Sequence, residues 1–293
     1  MLAGVALVGA CDGAERQRPF DYDDRASLDV RTSGSYRVND VRVSTLTYKS
    51  PQDGRVPALL FVPSGEAPRA GLIVQHGLPS RKEDVAHDAA ELASLGAVVI
   101  AIDAPFARPN AAEPVEFTLR DREEQVQLIV DLRRAVDLLH SRADVDPDRI
   151  GYLGISYGGA MGGLLAGVEH RIAAFVLMVG DGGLVEHFSG PEDGGGPLSS
   201  LEPRRRKEWI AAMRPIEPLT WIKRASAPLL FLSGRQDQLV PPRDAARYQR
   251  AAPGPKQIRW YDSDHFLPPR AWCDAAHFLG RHVGIEGNRH QSC

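Results

Sequence analysis

Cysteine is scarce in this sequence of 293 residues, which contains three, at Cys11, Cys273 and Cys293. So few cysteines exclude a disulfide-rich scaffold. The sequence also lacks C-x-x-C, H-E-x-x-H and any His/Cys cluster at metal-ligand spacing, so we expect no structural or catalytic metal. Cys273 and Cys293 are free to pair in an oxidising compartment, and two unrelated thiols are the alternative.

Long apolar runs and an excess of one charge are also missing. No apolar run approaches the roughly 18 residues that cross a bilayer. The 35 Lys and Arg residues nearly balance 38 Asp and Glu residues, which leaves a formal net charge of -3. Because both signs are interspersed, the basic footprint of nucleic-acid binding is absent, and we expect no nucleic-acid partner. The strongest local charge run, 203–208, indicates the solvated start of a helix.

The N-terminus has ten apolar or small residues, "MLAGVALVGA", directly before Cys11 and a polar stretch after it. This pattern resembles the end of a bacterial lipoprotein signal, which is cut before the cysteine. Cys11 is therefore a lipidation candidate that predicts a protein anchored to the membrane in the bacterial cell envelope. No Lys or Arg precedes the apolar run, so a frayed N-terminus of a cytoplasmic protein is the alternative. The predicted division is a signal and polar tether, 1–38, and one folded domain, 39–293.

Short apolar runs alternate with amphipathic stretches from Val41 onwards, as in α/β proteins. Turn residues between 41–50 and 56–63 predict an antiparallel edge pair. Strands of a mostly parallel sheet, covered by helices on both faces, are predicted from continuously apolar runs at 71–75, 97–103, 149–154, 173–180, 228–234 and near 257–261. Helices are predicted between and after them at 83–95, 119–142, 157–168, 241–251 and 268–283.

The segment 181–219 interrupts this alternation with "DGGLVEHFSGPEDGGGPLSSLEP". It is too long and too rich in Gly and Pro for an ordinary connection between two elements. A strand and a helix pattern resume after it. We therefore expect a cap or lid over a site rather than a linker between domains.

Ser156 lies in "GISYG", directly after a predicted strand and directly before a predicted helix. This is the context of the G-x-S-x-G nucleophile elbow, in which a strained turn presents the serine hydroxyl above the sheet. Gly154 and Gly158 suit such a turn because side chains there would collide with neighbouring backbone. A chance Gly-Ser-Gly corner is the alternative, since the chain contains 28 glycines.

A serine nucleophile needs a base and an orienting carboxylate, which in this arrangement follow later in the chain, acid first. Asp237 follows the predicted strand at 228–234, and His265 follows the one near 257–261. The order Ser156, Asp237, His265 is the expected one. Asp181, at the end of the preceding strand, is the rival carboxylate. The other histidines, His187 among them, are interpreted as surface or packing residues.

Oxyanion donors are predicted at two backbone positions. The segment "QHGLPS" ends the strand at 71–75 and opens the loop from which one donor should come. We expect the backbone N–H groups of Leu78 and Tyr157 to bind the oxyanion, with Gly77 allowing a close approach and His76 contributing through its backbone. A simple strand-ending turn at His76 is the alternative.

Three segments, "HSRADVDPDRIGYLGISYGGAMGG", "HGLPSRKED" and "SGRQDQLVP", resemble the dienelactone-hydrolase-like and acetylesterase-like branch of the α/β-hydrolase superfamily, kin to prolyl-oligopeptidase catalytic domains. The resemblance covers about 41–283. It implies a mostly parallel sheet of about eight strands, the triad Ser156, Asp237 and His265, and the oxyanion donors Tyr157 and Leu78. Dienelactone hydrolases carry a cysteine nucleophile where this chain has Ser156, so lactones are not favoured over simple esters.

The expected activity is hydrolysis of a small carboxylic ester through an acyl-serine intermediate, without a cofactor. Two alternatives stay open: a serine peptidase or amidase of the prolyl-oligopeptidase type, and a non-catalytic binding protein on a hydrolase scaffold. The stretch before the first predicted strand is too short for the propeller that prolyl oligopeptidases carry, which ranks the peptidase second. Four aromatic residues line the substrate pocket or pack the cap, namely Phe106, Phe188, Trp209 and Trp221.

Overall fold

The computed structural model describes residues 18–111, 113–190 and 195–286. The lipidation candidate Cys11 and the predicted cleavage site before it lie outside the described residues. Cys273 is disulfide-bonded, and the other two cysteines, Cys11 and Cys293, both lie outside the described residues. None of the described helices is long and apolar enough to span a membrane.

In the part of the chain that the structure describes, a nine-stranded sheet forms the centre of the fold, in the order β1-β2-β3-β5-β4-β6-β7-β8-β9. The strands are β1 (Arg31–Val38), β2 (Val41–Lys49), β3 (Arg55–Pro63), β4 (Arg69–Gln75), β5 (Val98–Ile102), β6 (Val145–Ile155), β7 (Ala174–Met178), β8 (Leu229–Gly234) and β9 (Lys256–Tyr261). Six neighbouring strands, β5, β4, β6, β7, β8 and β9, run parallel. The first three add an antiparallel end, as predicted for β2 and β3.

The described residues form eight α-helices, and the five predicted ones are among them. They are α1 (Ala86–Ser94), α2 (Leu119–His140), α3 (Tyr157–Ala166), α4 (Leu184–Ser189), α5 (Pro203–Met213), α6 (Pro218–Trp221), α7 (Pro242–Ala251) and α8 (Pro269–Val283). The helix α5 begins at Pro203 with exposed arginines, so the charge run at 203–208 is the solvated helix start that the sequence predicted.

Two apolar cores lie on opposite faces of the sheet. Side chains of α2, α3 and α7 join one core, and those of α1 and α8 join the other. Alternate residues of β5 enter different cores: Val98 and Ile100 pack on the α2 side, and Val99 packs on the α8 side. This alternation explains the continuously apolar text, because a strand with helices on both faces has no solvent side.

The predicted cap is present as a helical layer. The described part of 181–219 contains α4, α5 and the start of α6, joined by 3₁₀ turns. Trp209 of α5 is fully buried and donates its indole N–H to Asp121 of α2 at 2.6 Å. The ring of Phe117, just before α2, packs edge-on against Trp209 and against Phe188 of α4, with ring centroids 5.5 Å and 5.4 Å apart. The cap is therefore bound to the α2 side of the domain by aromatic contacts.

The part of the predicted tether that the structure describes packs on the domain instead of extending away from it. Phe20 is fully buried against Trp221, and the Tyr22 hydroxyl donates to Asp137 of α2 at 3.0 Å. β1 pairs with β2. All eight residues of β1 are solvent-exposed, so the strand lacks the apolar pattern on which its prediction would depend. The domain therefore includes 18–38, and the predicted boundary at residue 38 differs from the structure.

Candidate active site

Ser156 lies in a strained turn between β6 and α3. Its backbone angles are φ 55° and ψ -114°, a combination that non-glycine residues rarely adopt. A Cβ atom on Gly154 would lie 2.2 Å from the Gly158 carbonyl oxygen, and one on Gly158 would lie 2.3 Å from the Gln75 carbonyl oxygen. Only glycine fits at these two positions. The strain and both close approaches are the backbone features expected of a nucleophile elbow, and the role of Ser156 as the nucleophile stays a prediction.

Asp237 and His265 are brought together by the loops after β8 and β9. Asp237 Oδ2 lies 2.8 Å from His265 Nδ1. The other carboxylate oxygen accepts backbone N–H groups from Leu239 at 2.9 Å and Val240 at 2.8 Å. With 3% of its surface exposed, Asp237 is a buried carboxylate whose oxygens all have donors. This arrangement fixes the imidazole with a proton on Nδ1 and leaves Nε2 to act as a base.

The Asp237 and His265 loops are fixed to each other as well as to the sheet. The N–H of Arg235 donates to the Tyr261 carbonyl at 2.8 Å, and that of Gln236 donates to the Ser263 carbonyl at 2.9 Å. Because β6, β8 and β9 are parallel, their carboxyl ends place Ser156, Asp237 and His265 at one edge of the sheet. Ser156 Oγ makes no hydrogen bond to His265 within the described chain. Such bonds commonly close only when substrate binds.

The two predicted oxyanion donors lie beside Ser156. Leu78 and Tyr157 line the same small cavity as the serine. Tyr157 is the first residue of α3, so its N–H has no partner within the helix, and no acceptor for the Leu78 N–H is found among the described residues. A Cβ atom on Gly77 would lie 2.9 Å from Ser156 Cβ, so this loop needs glycine to approach the serine. Both N–H groups remain available to a ligand.

The His76 ring has a structural role. It is fully buried, with Nδ1 2.9 Å from the Gly77 carbonyl oxygen and Nε2 3.1 Å from the Ala104 N–H. Because Nε2 accepts that N–H, the ring is neutral and carries its proton on Nδ1. Burial lowers the pKa of His76, in agreement with a neutral ring. His76 thus joins the loop after β4 to the end of β5 and fixes the Gly77 and Leu78 backbone.

A cavity of about 60 Å³ adjoins the serine. It is lined by Leu78, Ser156, Tyr157, Ala160, Asp181, Leu184, His187, Phe188 and Val240. A second, smaller cavity shares Tyr157, Leu184 and Phe188 with it and continues to Phe106 and Trp209. Three of the four aromatic residues considered from the sequence therefore face this region, while Trp221 packs against Phe20.

The sequence interpretation missed one histidine of the site. His187 was assigned to the surface or to packing, but it lies on α4 and lines the cavity of Ser156. Its Nδ1 lies 3.4 Å from Asp181 Oδ2. His265 Nδ1 contacts Asp237, and Asp181 does not contact His265. Asp181 is therefore not the carboxylate that orients His265, the role for which it was the rival candidate. The one sequence signal that placed Asp181 near the site was its position directly after a predicted parallel strand.

A family model described as the prolyl oligopeptidase family matches residues 84–261, more than half of the chain. Among curated proteins, the "Probable 2-oxo-3-(5-oxofuran-2-ylidene)propanoate lactonase" of Bradyrhizobium sp is 26% identical over 225 residues, which are 76% of this chain and 74% of that protein. The "Alpha/beta hydrolase domain-containing protein WAV2" of Arabidopsis thaliana is 33% identical over 128 residues, 40% of this chain and 39% of that protein.

Solved structures of similar fold include two acetyl xylan esterases. Acetyl Xylan Esterase 1 from Thermoanaerobacterium sp. superposes with a TM-score of 0.77 at 20% sequence identity, covering 91% of this chain and 92% of the other. The acetyl xylan esterase from Paenibacillus sp. R4 gives a TM-score of 0.74 at 20% identity, covering 92% of each chain. At this identity the likeness shows a shared fold, which extends over nearly the whole chain.

Proposed function

This chain belongs to the prolyl oligopeptidase family of α/β hydrolases, and on that premise we propose that it is a serine hydrolase that cleaves small carboxylic esters through an acyl-Ser156 intermediate. The observation that carries the proposal is the strained turn of Ser156 between two glycines that tolerate no side chain. The 2.8 Å contact between His265 and Asp237 at the same edge of the sheet supports it.

In the acylation step, Ser156 Oγ attacks the ester carbonyl carbon while His265 Nε2 takes the hydroxyl proton. The carbonyl electron pair moves onto oxygen, and the N–H groups of Leu78 and Tyr157 stabilise the oxyanion. Asp237 holds the Nδ1 proton and stabilises the imidazolium. When the intermediate collapses, the bond to the alcohol breaks, and His265 returns its proton to the departing alkoxide.

In the deacylation step, water takes the place of the alcohol. His265 Nε2 removes a proton from water as it attacks the acyl carbon, and the same backbone donors stabilise the second oxyanion. Collapse breaks the bond to Ser156 Oγ, which recovers its proton from His265. The products are a carboxylic acid and the free serine, so the cycle needs no redox partner.

Fluorophosphonate labelling followed by peptide mapping tests this proposal. We expect one modified serine, Ser156, in the wild type and no labelling of Ser156→Ala. Ser94→Ala, which changes an exposed serine at the end of α1, is the matched control and should be labelled like the wild type. Labelling that persists in Ser156→Ala, or a wild type that is not labelled, contradicts the proposal. The second outcome favours a non-catalytic binding protein on a hydrolase scaffold.

The family match supports one other activity, the hydrolysis of peptides or amides, because the same groups catalyse both reactions. The cavity of about 60 Å³ beside Ser156 favours small acyl groups over peptide segments. Ethyl esters and the corresponding anilides of the same short acids separate the two activities. Faster hydrolysis of the anilides would replace the ester assignment by the amide one.

A further inference from the structure

Ser156 is flanked by a second pair of histidine and carboxylate, formed by His187 and Asp181. Asp181 follows β7 and has 4% of its surface exposed. Its Oδ1 accepts the Gly183 N–H at 2.9 Å, while its Oδ2 is buried and has no hydrogen-bond partner among the described residues. His187 Nδ1 lies 3.4 Å from this Oδ2. A buried carboxylate oxygen without a donor is costly, so it favours a proton on His187 Nδ1.

This proton fixes what His187 offers to the cavity. With the proton on Nδ1, the neutral imidazole presents Nε2 as an acceptor. His187 Nε2 has no partner among the described residues and is not one of their buried unpaired atoms, so it is accessible to solvent. The ring packs edge-on against Phe188, with the centroids 5.1 Å apart, and its side chain is 32% exposed. A hydrogen-bond acceptor therefore borders the cavity next to the apolar lining residues Leu184 and Phe188.

The cavity lies on the acyl side of the proposed tetrahedral intermediate. The general acid His265 must reach the leaving alcohol oxygen, and His265 is not among the nine residues that line the cavity. The oxyanion faces Leu78 and Tyr157. The remaining substituent of the carbonyl carbon, the acyl chain, then extends toward Asp181 and His187. At about 60 Å³ the cavity has space for roughly four water-sized positions, which suits a short chain.

We propose that His187 selects a short acyl chain that carries a hydroxyl group near the carbonyl, so that the enzyme prefers esters of short hydroxy acids. This inference rests on the proposed serine hydrolase activity. The substrate hydroxyl donates to His187 Nε2, and Asp181 acts as the positioning residue that holds the Nδ1 proton. An acyl chain without a hydroxyl leaves Nε2 unpaired as the site closes, which penalises that substrate.

The charges around the pair favour a neutral hydroxyl over an ionic group. Arg247 NH2 lies 3.8 Å from Asp181 Oδ1 and 3.8 Å from Asp244, and its guanidinium packs over Gly183. Arg247 thus balances the charge of Asp181 already. Because the two charges offset each other, neither an acyl carboxylate nor an acyl ammonium group meets a net opposite charge from this pair, so neither is preferred over a neutral hydroxyl.

The test compares ester pairs that differ only in the hydroxyl group, followed by pH-stat titration of acid release. The pairs are ethyl lactate with ethyl propanoate and ethyl 3-hydroxybutanoate with ethyl butanoate; ethyl alaninate tests the ammonium group. We expect the wild type to have at least a 10-fold higher kcat/KM for the better hydroxy ester than for its partner. In His187→Phe, which keeps an aromatic ring against Phe188, this ratio should fall about 10-fold.

Two further variants separate recognition from a merely structural effect. His187→Gln returns an acceptor near the Nε2 position and should recover part of the kcat/KM ratio lost in His187→Phe. Asp181→Asn should lower the same ratio, because the His187 proton is then no longer held on Nδ1. His170→Phe is the matched control, because His170 is exposed beyond the far end of α3, about 15 Å from Ser156. It should keep the wild-type ratio.

The outcomes separate this inference from the function on which it rests. Equal kcat/KM values within both ester pairs, or a ratio that His187→Phe leaves unchanged, overturn the hydroxy-acid preference and leave the ester hydrolase in place. A higher kcat/KM for ethyl alaninate than for ethyl lactate replaces it by recognition of an ammonium group. Failure to hydrolyse any of the five esters overturns the proposed function, and this inference with it.

Discussion

The two histidine and carboxylate pairs beside Ser156 differ in how their parts are held. The His265 and Asp237 contact is 2.8 Å long, and both oxygens of Asp237 have donors. The His187 and Asp181 contact is 3.4 Å long, and one oxygen of Asp181 has no hydrogen bond within the described chain. Both carboxylates are buried, with 3% and 4% of their surfaces exposed. Burial alone therefore does not determine how well a pair is aligned.

The difference follows from the elements that carry each pair. The Asp237 and His265 loops leave adjacent parallel strands and are bonded to each other. A Cβ atom on Gly234 would lie 2.1 Å from the Asp264 carbonyl oxygen, so the two loops are in contact. His187, by contrast, lies on the short helix α4 of the cap. Proton transfer needs the geometry that the sheet fixes, whereas substrate selection tolerates the adjustment that a cap helix allows.

The largest expected effect separates the two histidines. His265→Ala removes the base that activates Ser156 and should lower kcat for ethyl propanoate by about 10⁴-fold or more. His187→Ala should lower kcat/KM for the same ester by less than about 10-fold, because it removes no proton-transfer group. Single-turnover kinetics on both purified variants measure the rate of the acylation step directly. A greater loss in His187→Ala than in His265→Ala would reverse the assigned roles.

The next expected effect concerns the carboxylates. Asp237→Asn no longer accepts the Nδ1 proton of His265, so the ring adopts the wrong tautomer and kcat should fall by about 10³ to 10⁴. Asp181→Asn should change kcat for an unsubstituted ester by less than about 10-fold. The pH dependence of kcat, compared between the two variants and the wild type, is the measurement. Similar losses in both would show that the pairs share one function.

A smaller effect is expected where Ser156 meets the oxyanion loop. Gly77→Ala places a Cβ 2.9 Å from Ser156 Cβ, which forces the loop away from the serine. We expect kcat to fall by roughly 10- to 100-fold and the free energy of unfolding by about 1 to 3 kcal/mol. Gly34→Ala in β1 is the control, because no atom of the described residues lies within 4 Å of the added Cβ. Equal kcat values for the two variants would exclude this contact as a determinant of catalysis.

The smallest expected effect concerns Glu217, whose Oε1 accepts the Val185 N–H of α4 at 2.8 Å. The pKa of Glu217 is raised from 4.5 to about 7, chiefly by burial and also by the nearby Glu186. The Val185 hydrogen bond and the charges of Arg214 and Arg247 oppose this rise. The pKa of Glu217 is higher in the folded state than in the unfolded state. The contribution of its protonated carboxyl to the free energy of unfolding is therefore complete below about pH 4.5. It is lost as the pH rises through about 7.

Glu217→Gln stays neutral and should gain stability relative to the wild type between pH 5 and pH 8, by on the order of 3 kcal/mol at most. Thermal unfolding at pH 5, 6, 7 and 8 measures the difference in Tm, which should rise with pH. Glu208→Gln, which alters an exposed carboxyl of the same cap, should show no such trend. A constant difference for Glu217→Gln would mean that Glu217 is ionised over the whole range.

The predictable parts of the fold are those in which local pattern and burial coincide. The apolar runs became β4 to β9 because strands covered on both faces read as continuous apolar text. Ser156, Asp237 and His265 were predictable as a set because each directly follows a strand, and parallel strands bring their carboxyl ends to one edge. Their catalytic roles remain predictions, for which the geometry above provides the tests.

Other features had no local signal. β1 has only exposed residues, so nothing in its composition separates it from a polar tether. Its attachment depends on backbone pairing with β2 and on the burial of Phe20 in the domain. His187 has no motif around it either. Its place beside Ser156 results from the way the cap packs against α2 and the residue before it, Phe117, through contacts between residues far apart in the chain.

The sequence by itself determined the α/β alternation, the glycine-flanked turn at Ser156 and the order of the three candidate catalytic residues. These depend on neighbouring residues, through periodicity and through steric limits on the backbone. Only the tertiary structure decided that Asp237 rather than Asp181 faces His265, and that the cap brings His187 to the cavity. Those outcomes depend on distances between segments that are far apart in the chain. The order of residues does not determine these distances, and the packing of the folded chain does.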